Sequence, residues 1–204
     1  DRSVSRGLGD VYKRQIIDSA TKILYEALVC DSKVIDERYI TGQNDHAKNI
    51  VATLEDMLKR EGIETNDLDQ IVCGIGPGSY TGVRMGVTVA KMIGAFQHKD
   101  IYEISTLDLM ASGSTEETLV MIDSRRGNAF CAHYDKGIKT DKEAIRNQSE
   151  YKALYPNAKI LTESSFMVDP IKCIKIAHKH DNPHSLEPNY LQETEAERNL
   201  HCKD

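Results

Sequence analysis

The sequence predicts an α/β fold of two related lobes, with mixed sheets flanked by helices. Apolar runs of strand length alternate with segments of 3.6-residue period, the order that gives parallel strands joined by helices. The chain also repeats itself. Ile17-Asp18-Ser19 aligns with Ile122-Asp123-Ser124, and without a gap Tyr25 falls on Phe130 and Ala27 on Ala132. The offset of 105 residues is about half of the 204. Each half therefore opens with a strand, an Asp-Ser turn and a second strand, which adds antiparallel hairpins to the parallel part of the sheet.

In the first half, 23–29 and 33–40 read as strands separated by Asp31-Ser32, a turn signal. Asn44 or Asp45 can cap a helix in which Ala47, Ile50, Val51, Leu54, Met57 and Leu58 keep helical period, ending near Gly62. A buried strand at 70–75 leads into a glycine turn, and Ser79 caps a second helix that runs to about Phe96 and carries Val83, Val87, Val89 and Ile93. A short strand follows at 101–104, and Ser105 or Thr106 opens a short helix through Met110. The second half has strands at 119–122 and 129–134, then a polar stretch with no clear period. A weak strand at 159–161 precedes a helix begun by Pro170, with Ile171, Ile174 and Ala177 along one face. Residues 1–15 have three arginines, two glycines and no period. They read as a non-native or disordered leader, so the first strand is expected to begin at Ile16. The expected organisation is 16–105 as the N-terminal lobe, 106–186 as a shortened C-terminal lobe and 187–204 as a solvated tail.

The second helix places a small residue at every fourth position: Gly78, Gly82, Gly86, Ala90 and Gly94. Glycine in a helix interior costs about 1 kcal/mol against alanine, so three of them sacrifice roughly 3 kcal/mol. Close approach of another backbone along the bare stripe can return that energy, because i and i+4 share one helix face.

Composition narrows the function classes. A net charge of -6 argues against direct grip on nucleic acid, which draws on clustered Lys and Arg. The five cysteines form no Cys-x-x-Cys and suit reduced thiols in a cytosol. No run approaches the apolar length of a membrane span, and a cytoplasmic location is expected.

Several motifs then resemble one family. They are Ile17-Asp18-Ser19-Ala20-Thr21, the block from Gly76 to Gly86, Ile104-Ser105-Thr106-Leu107, Ile122-Asp123-Ser124-Arg125-Arg126-Gly127 and Glu187-Pro188-Asn189-Tyr190-Leu191 with Glu195-Ala196-Glu197. Together they resemble the TsaB (YeaZ) family over about residues 16 to 198. The resemblance implies the two-lobed actin-like fold shared by sugar kinases and heat-shock ATPases. It implies a non-catalytic dimerisation subunit in the bacterial synthesis of N6-threonylcarbamoyladenosine at position 37 of tRNA. TsaD would be the catalytic partner, TsaE an ATPase reached through the TsaB-TsaD complex, and TsaC the source of threonylcarbamoyl-AMP. A homodimer would form when the chain is alone, and tRNA would be met only through the complex. The family contact uses the first two helices, here 45–60 and 80–96. That assigns His46, Ile50, Leu54, Met57, Gly82, Met85, Gly86 and Val89 to a partner interface. The family pattern has an aliphatic run before the Asp of the first strand, whereas this chain has Tyr12-Lys13-Arg14-Gln15.

Other chemistries fail on spacing. A metal pair on the first helix needs a second histidine at i+4 from His46, and Ile50 stands there. His178, His180 and His184 are read as a solvated helix end, since i and i+2 point to different faces of a helix. No metal or cofactor is expected. A P-loop and a dinucleotide fingerprint both fail around Gly74 and Gly76, because Thr81 and Ser79 occupy the positions that need glycine. A nucleophile elbow at Ser79 fails at Pro77 and Thr81, so no catalytic residue is expected. The amides of Gly78 to Thr81 could bind an anion at a helix start, against the plainer packing role. Asp123, Arg125 and Arg126 suit contact with a partner's acidic surface or with tRNA backbone; otherwise Asp123 pairs with one arginine and orders the turn. The rival reading from another class is an ATP-dependent kinase or carbamoyl-type transferase on the same fold.

Overall fold

A computed structural model describes residues 12–41 and 46–191, with the backbone alone described for 46–48. Strand β1 (Lys13–Asp18) pairs antiparallel with β2 (Ile23–Cys30), which pairs with β3 (Lys33–Thr41). Helix α1 (His46–Glu61) follows, then β4 (Gln70–Gly74), α2 (Tyr80–Gln97) and β5 (Asp100–Ile104). Both β4 and β5 run parallel, on the other side of β1. Helix α3 (Thr106–Ala111) crosses to the second sheet. That sheet contains β6 (Thr118–Asp123), β7 (Asn128–Asp135), β8 (Ile138–Lys139) and β9 (Ala144–Asn147). Helix α4 (Gln148–Leu154), β10 (Lys159–Leu161) and α5 (Pro170–Ile176) lead to a last strand, β11 (His178–His180). The sheets have the orders β11-β5-β4-β1-β2-β3 and β10-β6-β7-β8, with β9 also on β7.

Each sheet buries both faces. One core is shared, joining Ile16, Tyr25, Ala27 and Val72 of the first sheet to Val120, Ile122, Phe130 and Ala132 of the second through Leu107, Met110 and Cys173. The far face of the first sheet packs under α1 and α2, and that of the second under Tyr151 of α4. The alternation along β1 decides this: Ile16 enters the shared core and Ile17 the helix side.

The structure corrects the sequence reading in three places. First, β1 begins at Lys13, ahead of the expected Ile16. A central strand is fixed by two neighbours, and here its backbone and a polar side chain find partners: the Lys13 amide donates to Asp69 (2.7 Å) and Arg14 Nε to Gln70 (2.9 Å). Second, the polar stretch after 135 is ordered. Asp141 accepts from the His133 amide (2.7 Å) and the Tyr151 hydroxyl (2.5 Å), while Arg146 pairs with it at 3.2 Å. Asn147 then caps α4. Third, the helix begun by Pro170 stops at Ile176, and the chain returns as β11 to the edge of the first sheet. Leu186, expected with the second half, is buried in the core beside α2, and the Asn189 amide donates to Ile75. The expected tail at 192–204 lies outside the described residues, as do 1–11 of the expected leader.

One buried polar pair interrupts the floor beneath α1. Gln15 and Glu26 are wholly buried, Gln15 Nε2 donates to Glu26 (3.2 Å), and Oε1 of each has no partner. Burial pushes the Glu26 carboxyl up to about 9, against a smaller opposing pull from Gln15. The folded state then binds a proton that the unfolded state has released. Stability from this group is complete below the ordinary glutamate range and is lost as pH rises towards and through about 9. The isosteric Glu26→Gln is expected to remove that fall. Denaturant unfolding between mildly acidic and alkaline pH checks it: the variant should gain on the parent steadily as pH rises, and parallel curves would refute the account.

Candidate functional site

The turn between β1 and β2, Asp18 to Thr21, lies at the carboxyl end of β1, where open α/β sheets commonly receive ligands. In this chain it is packed shut. Asp18, Ser19, Ala20 and Thr21 are all buried. Asp18 Oδ1 accepts from the Ala20 amide (2.9 Å) and Oδ2 from the Thr106 hydroxyl (2.6 Å); Thr106 Oγ1 in turn accepts from the Gly76 amide (3.1 Å). Burial raises the Asp18 carboxyl to about 6, with the Thr106 and Ala20 bonds opposing it. Gly74 is required beneath it, since a Cβ there would lie 1.8 Å from Asp18 Oδ2.

Helix α2 closes the other side of the turn. A Cβ on Gly78 would meet the Ala20 carbonyl oxygen at 2.2 Å, and one on Gly82 the Ser19 carbonyl oxygen at 2.1 Å. On Gly86 it would reach Ser19 Oγ at 2.6 Å, and on Gly94 the Ile101 side chain at 2.3 Å. Two hydrogen bonds lock the contact, the Ser79 amide to the Ala20 carbonyl (2.6 Å) and the Ser19 hydroxyl to the Gly82 carbonyl (2.8 Å), while Ser79 Oγ caps α2 by accepting from the Gly82 amide (3.3 Å). The backbone that approaches the bare stripe therefore belongs to this chain.

This overturns part of the expected interface. Gly82 and Gly86 face the β1–β2 turn, while Ile50, Leu54 and Met57 of α1 are buried in the chain's own core. The reason is register: these residues lie on the helix faces that cover the sheet, where the hydrophobic term is largest. Met85 and Val89 are half-buried against the same core. The side chain of His46 lies outside the described residues. The outward face of α2 is a different stripe, Tyr80, Arg84, Thr88, Met92 and Phe96, again at i+4 spacing. Phe96 is 80% exposed, Met92 53% and Val51 of the neighbouring α1 45%. At the other end Arg84 donates to the Tyr80 hydroxyl (2.8 Å), and Tyr80 stacks on Tyr190 at 5.1 Å. The helical period that revealed the glycines contains this stripe as well, but the sequence does not say which of two i+4 rows faces in.

The β6–β7 turn presents Arg125 and Arg126, both exposed, with φ of 69° and 54°. This left-handed conformation is uncommon for residues with a side chain. Asp123 Oδ1 accepts from the Arg125 amide and the Gln148 side chain, each at 3.2 Å, so the carboxylate orders the turn through its backbone. A third feature was not visible in the sequence. A cleft of about 570 Å³ opens beyond the carboxyl ends of β4 and β5, lined by Ile75, Glu103, Asp108, Lys139, His178 and Asn189 among others. Lys139 bridges Asp108 (2.9 Å) and Glu143 (2.6 Å) across it.

The packing of α2 makes Gly82→Ala informative. Helix propensity alone would stabilise the variant by about 1 kcal/mol. The Ser19 carbonyl is backbone and cannot step aside, so a net loss of about 3 kcal/mol is expected instead. Denaturant titration decides between the two signs.

Comparison with known proteins places this geometry. The family model for TsaD, tRNA N6-adenosine threonylcarbamoyltransferase, matches residues 39–163. An uncharacterised protein of Mycobacterium tuberculosis is 31% identical over 131 residues, covering 63% of this chain and 62% of that protein. The tRNA threonylcarbamoyladenosine biosynthesis protein TsaB of Escherichia coli is 29% identical over 143 residues, covering 68% and 60%. The TsaB protein of Bacillus subtilis is 33% identical over 121 residues, covering 58% and 53%. The chain thus spans less than two thirds of the length of these relatives. The structure of YeaZ from Pseudomonas aeruginosa superposes with a TM-score of 0.72 at 18% identity, covering 88% of this chain and 100% of that one. The shared fold is the two-lobed actin-like α/β type. With more than half its length matched, the chain belongs to the TsaD (tRNA N6-adenosine threonylcarbamoyltransferase) family, as a member of its TsaB/YeaZ group.

Proposed function

We propose that this chain takes part in forming N6-threonylcarbamoyladenosine on tRNA as a non-catalytic subunit, docking the catalytic TsaD protein through the outward faces of α1 and α2. The names of the Escherichia coli and Bacillus subtilis relatives support the pathway. One observation supports the role: the inner face of α2 is consumed by the β1–β2 turn, while Met92 and Phe96 stand one helical turn apart and exposed on its outer face. Large apolar side chains grouped on a rigid helix favour burial against a partner. The Tyr80-Arg84-Tyr190 cluster extends the same row and supplies polar rim contacts. In this reading a second copy occupies the face when TsaD is absent, and TsaE is reached through the complex. Arg125 and Arg126 offer the contact to tRNA backbone or to an acidic partner surface, so tRNA is met only within the assembly.

The rival reading, a kinase or carbamoyl-type transferase on the same fold, needs phosphates to reach the β1–β2 turn. Ser19 and Ala20 carry α2 against their carbonyl groups, which fills the space a phosphate would take. Calorimetry of the isolated chain with ATP and Mg²⁺ is therefore expected to give no binding heat.

The docking face is tested by replacing Met92 and Phe96 together with aspartate. Both side chains are exposed, so the melting curve should barely move, within about 0.5 kcal/mol. Association with TsaD should weaken by roughly thirtyfold or more, the loss typical of an interface anchor. Undiminished association, or stoichiometric ATP binding by the lone chain, would sink the proposal.

A further inference from the structure

Beneath α1, two neighbouring strands carry groups that stand face to face without meeting. Glu26 of β2 is directly opposite Arg38 of β3 in the antiparallel register, which brings their Cβ atoms to about 5 Å. Both side chains lie on the helix side of the sheet. Glu26 is paired across β1 with Ile17, a member of the core under α1 and α2, and Arg38 reaches Asp56 of α1. Among the described residues, Glu26 Oε1 and Arg38 Nε are each buried without a hydrogen-bond partner. A carboxyl and a guanidinium thus oppose each other unjoined.

Their present partners hold them apart. Arg38 gives a terminal nitrogen to Asp36 (2.7 Å) and lies 3.9 Å from Asp56, so it ties β3 to α1. Asp56 is held as well by Arg60 of the same helix (2.8 Å). Glu26 accepts from Gln15 Nε2, and burial keeps it protonated up to about 9. Gln15 alone opposes that burial, so the guanidinium gives the carboxyl no help in this arrangement. The helices cover the face with apolar side chains, Leu54, Met57 and Leu58 of α1 and Val83 and Val87 of α2. Its other titratable groups are the thiols Cys73 of β4 and Cys30 of β2, both pushed up by burial. Lys13, Lys33 and Glu61 gather at the Cys30 end of β2.

We propose that Glu26 and Arg38 form a proton-controlled switch: loss of the Glu26 proton to solvent draws the Arg38 guanidinium from Asp56 onto the buried carboxylate, and so unties β3 from α1. A buried carboxylate without a counter-charge is strongly disfavoured, and the guanidinium that register sets against it supplies that charge with little movement of the backbone. Arg38 suits the exchange because Nε and a terminal nitrogen form a fork that one carboxylate accepts side by side. Asp56 loses less, being half exposed and still paired with Arg60. The pairing softens, without abolishing, the alkaline loss of stability that Glu26 causes. The switch is independent of the docking row on α2.

NMR of the full chain from neutral to alkaline pH tests it, following side-chain carboxyl carbons and arginine Nε together, with Glu26→Gln assigning the Glu26 signal. The Arg38 Nε resonance should move with the Glu26 titration and share its midpoint. In Arg38→Met the ionised carboxylate loses its partner, so the proton affinity of Glu26 should rise at least about tenfold. In Asp56→Asn the competing tie is gone, and that affinity should fall about threefold. A silent Arg38 Nε, or an unmoved Glu26 midpoint in Arg38→Met, overturns the proposal. Should Arg38→Met fail to fold, Asp56→Asn retains the test because Asp56 is half exposed, and an unmoved midpoint there counts equally against the switch. Loss of far-UV dichroism in step with the Glu26 titration overturns it too, since the carboxylate would then leave the core instead of gaining a partner inside it.

Discussion

The close approach of α2 to the β1–β2 turn governs the rest of the first sheet. Backbone lies on backbone there, with Ser19 and Ala20 carbonyl oxygens set where side chains at Gly82 and Gly78 would otherwise stand. The contact fixes which face of α2 points inward, and through α2 it fixes the cover over Ile17, Ile71 and Cys73. Dispersion and hydrogen bonding at this short range offset the helix propensity that the glycines forfeit. The same contact makes the turn at the carboxyl end of β1 solid core.

Polar groups in this core survive because nearly all of them are answered. Asp18 is held by Thr106 and Ala20, and Thr106 by Gly76, so the carboxyl ties β1 to the start of α3 across the sheet end. The returning segment after α5 completes the enclosure. Pro183 lies 3.4 Å from where a Gly94 Cβ would stand, and Tyr190 stacks on Tyr80, so the segment touches α2 near both of its ends. Gln15 and Glu26 differ: among the described residues each keeps one buried side-chain oxygen without a partner. Burial penalises the charged carboxylate, which is why protonation of Glu26 is favoured well above the usual carboxylate range.

Much of this architecture could be read in advance. The periods of α1 and α2, the N-cap at Ser79, the short helix opened by Ser105 and the paired Asp-Ser turns all depend on neighbours within a few residues. The elements that were missed depend on partners far away. Lys13 to Gln15 form a strand because β2 and β4 flank them, and His178 to His180 because β5 offers a free edge. The polar segment around Asp141 is ordered by His133, Tyr151 and Arg146 together, a network that no linear pattern announces.

The sequence by itself determined the α/β class, the two-lobed plan, the family and the fact that α2 must lie against another backbone, because helical period and glycine cost are local quantities. Only the tertiary structure decided whose backbone that is. It also decided that the outward row runs through Met92 and Phe96, and that Glu26 stands opposite Arg38 across β2 and β3. Those answers depend on burial and on cross-strand register, which are set by long-range contacts between segments distant in the chain.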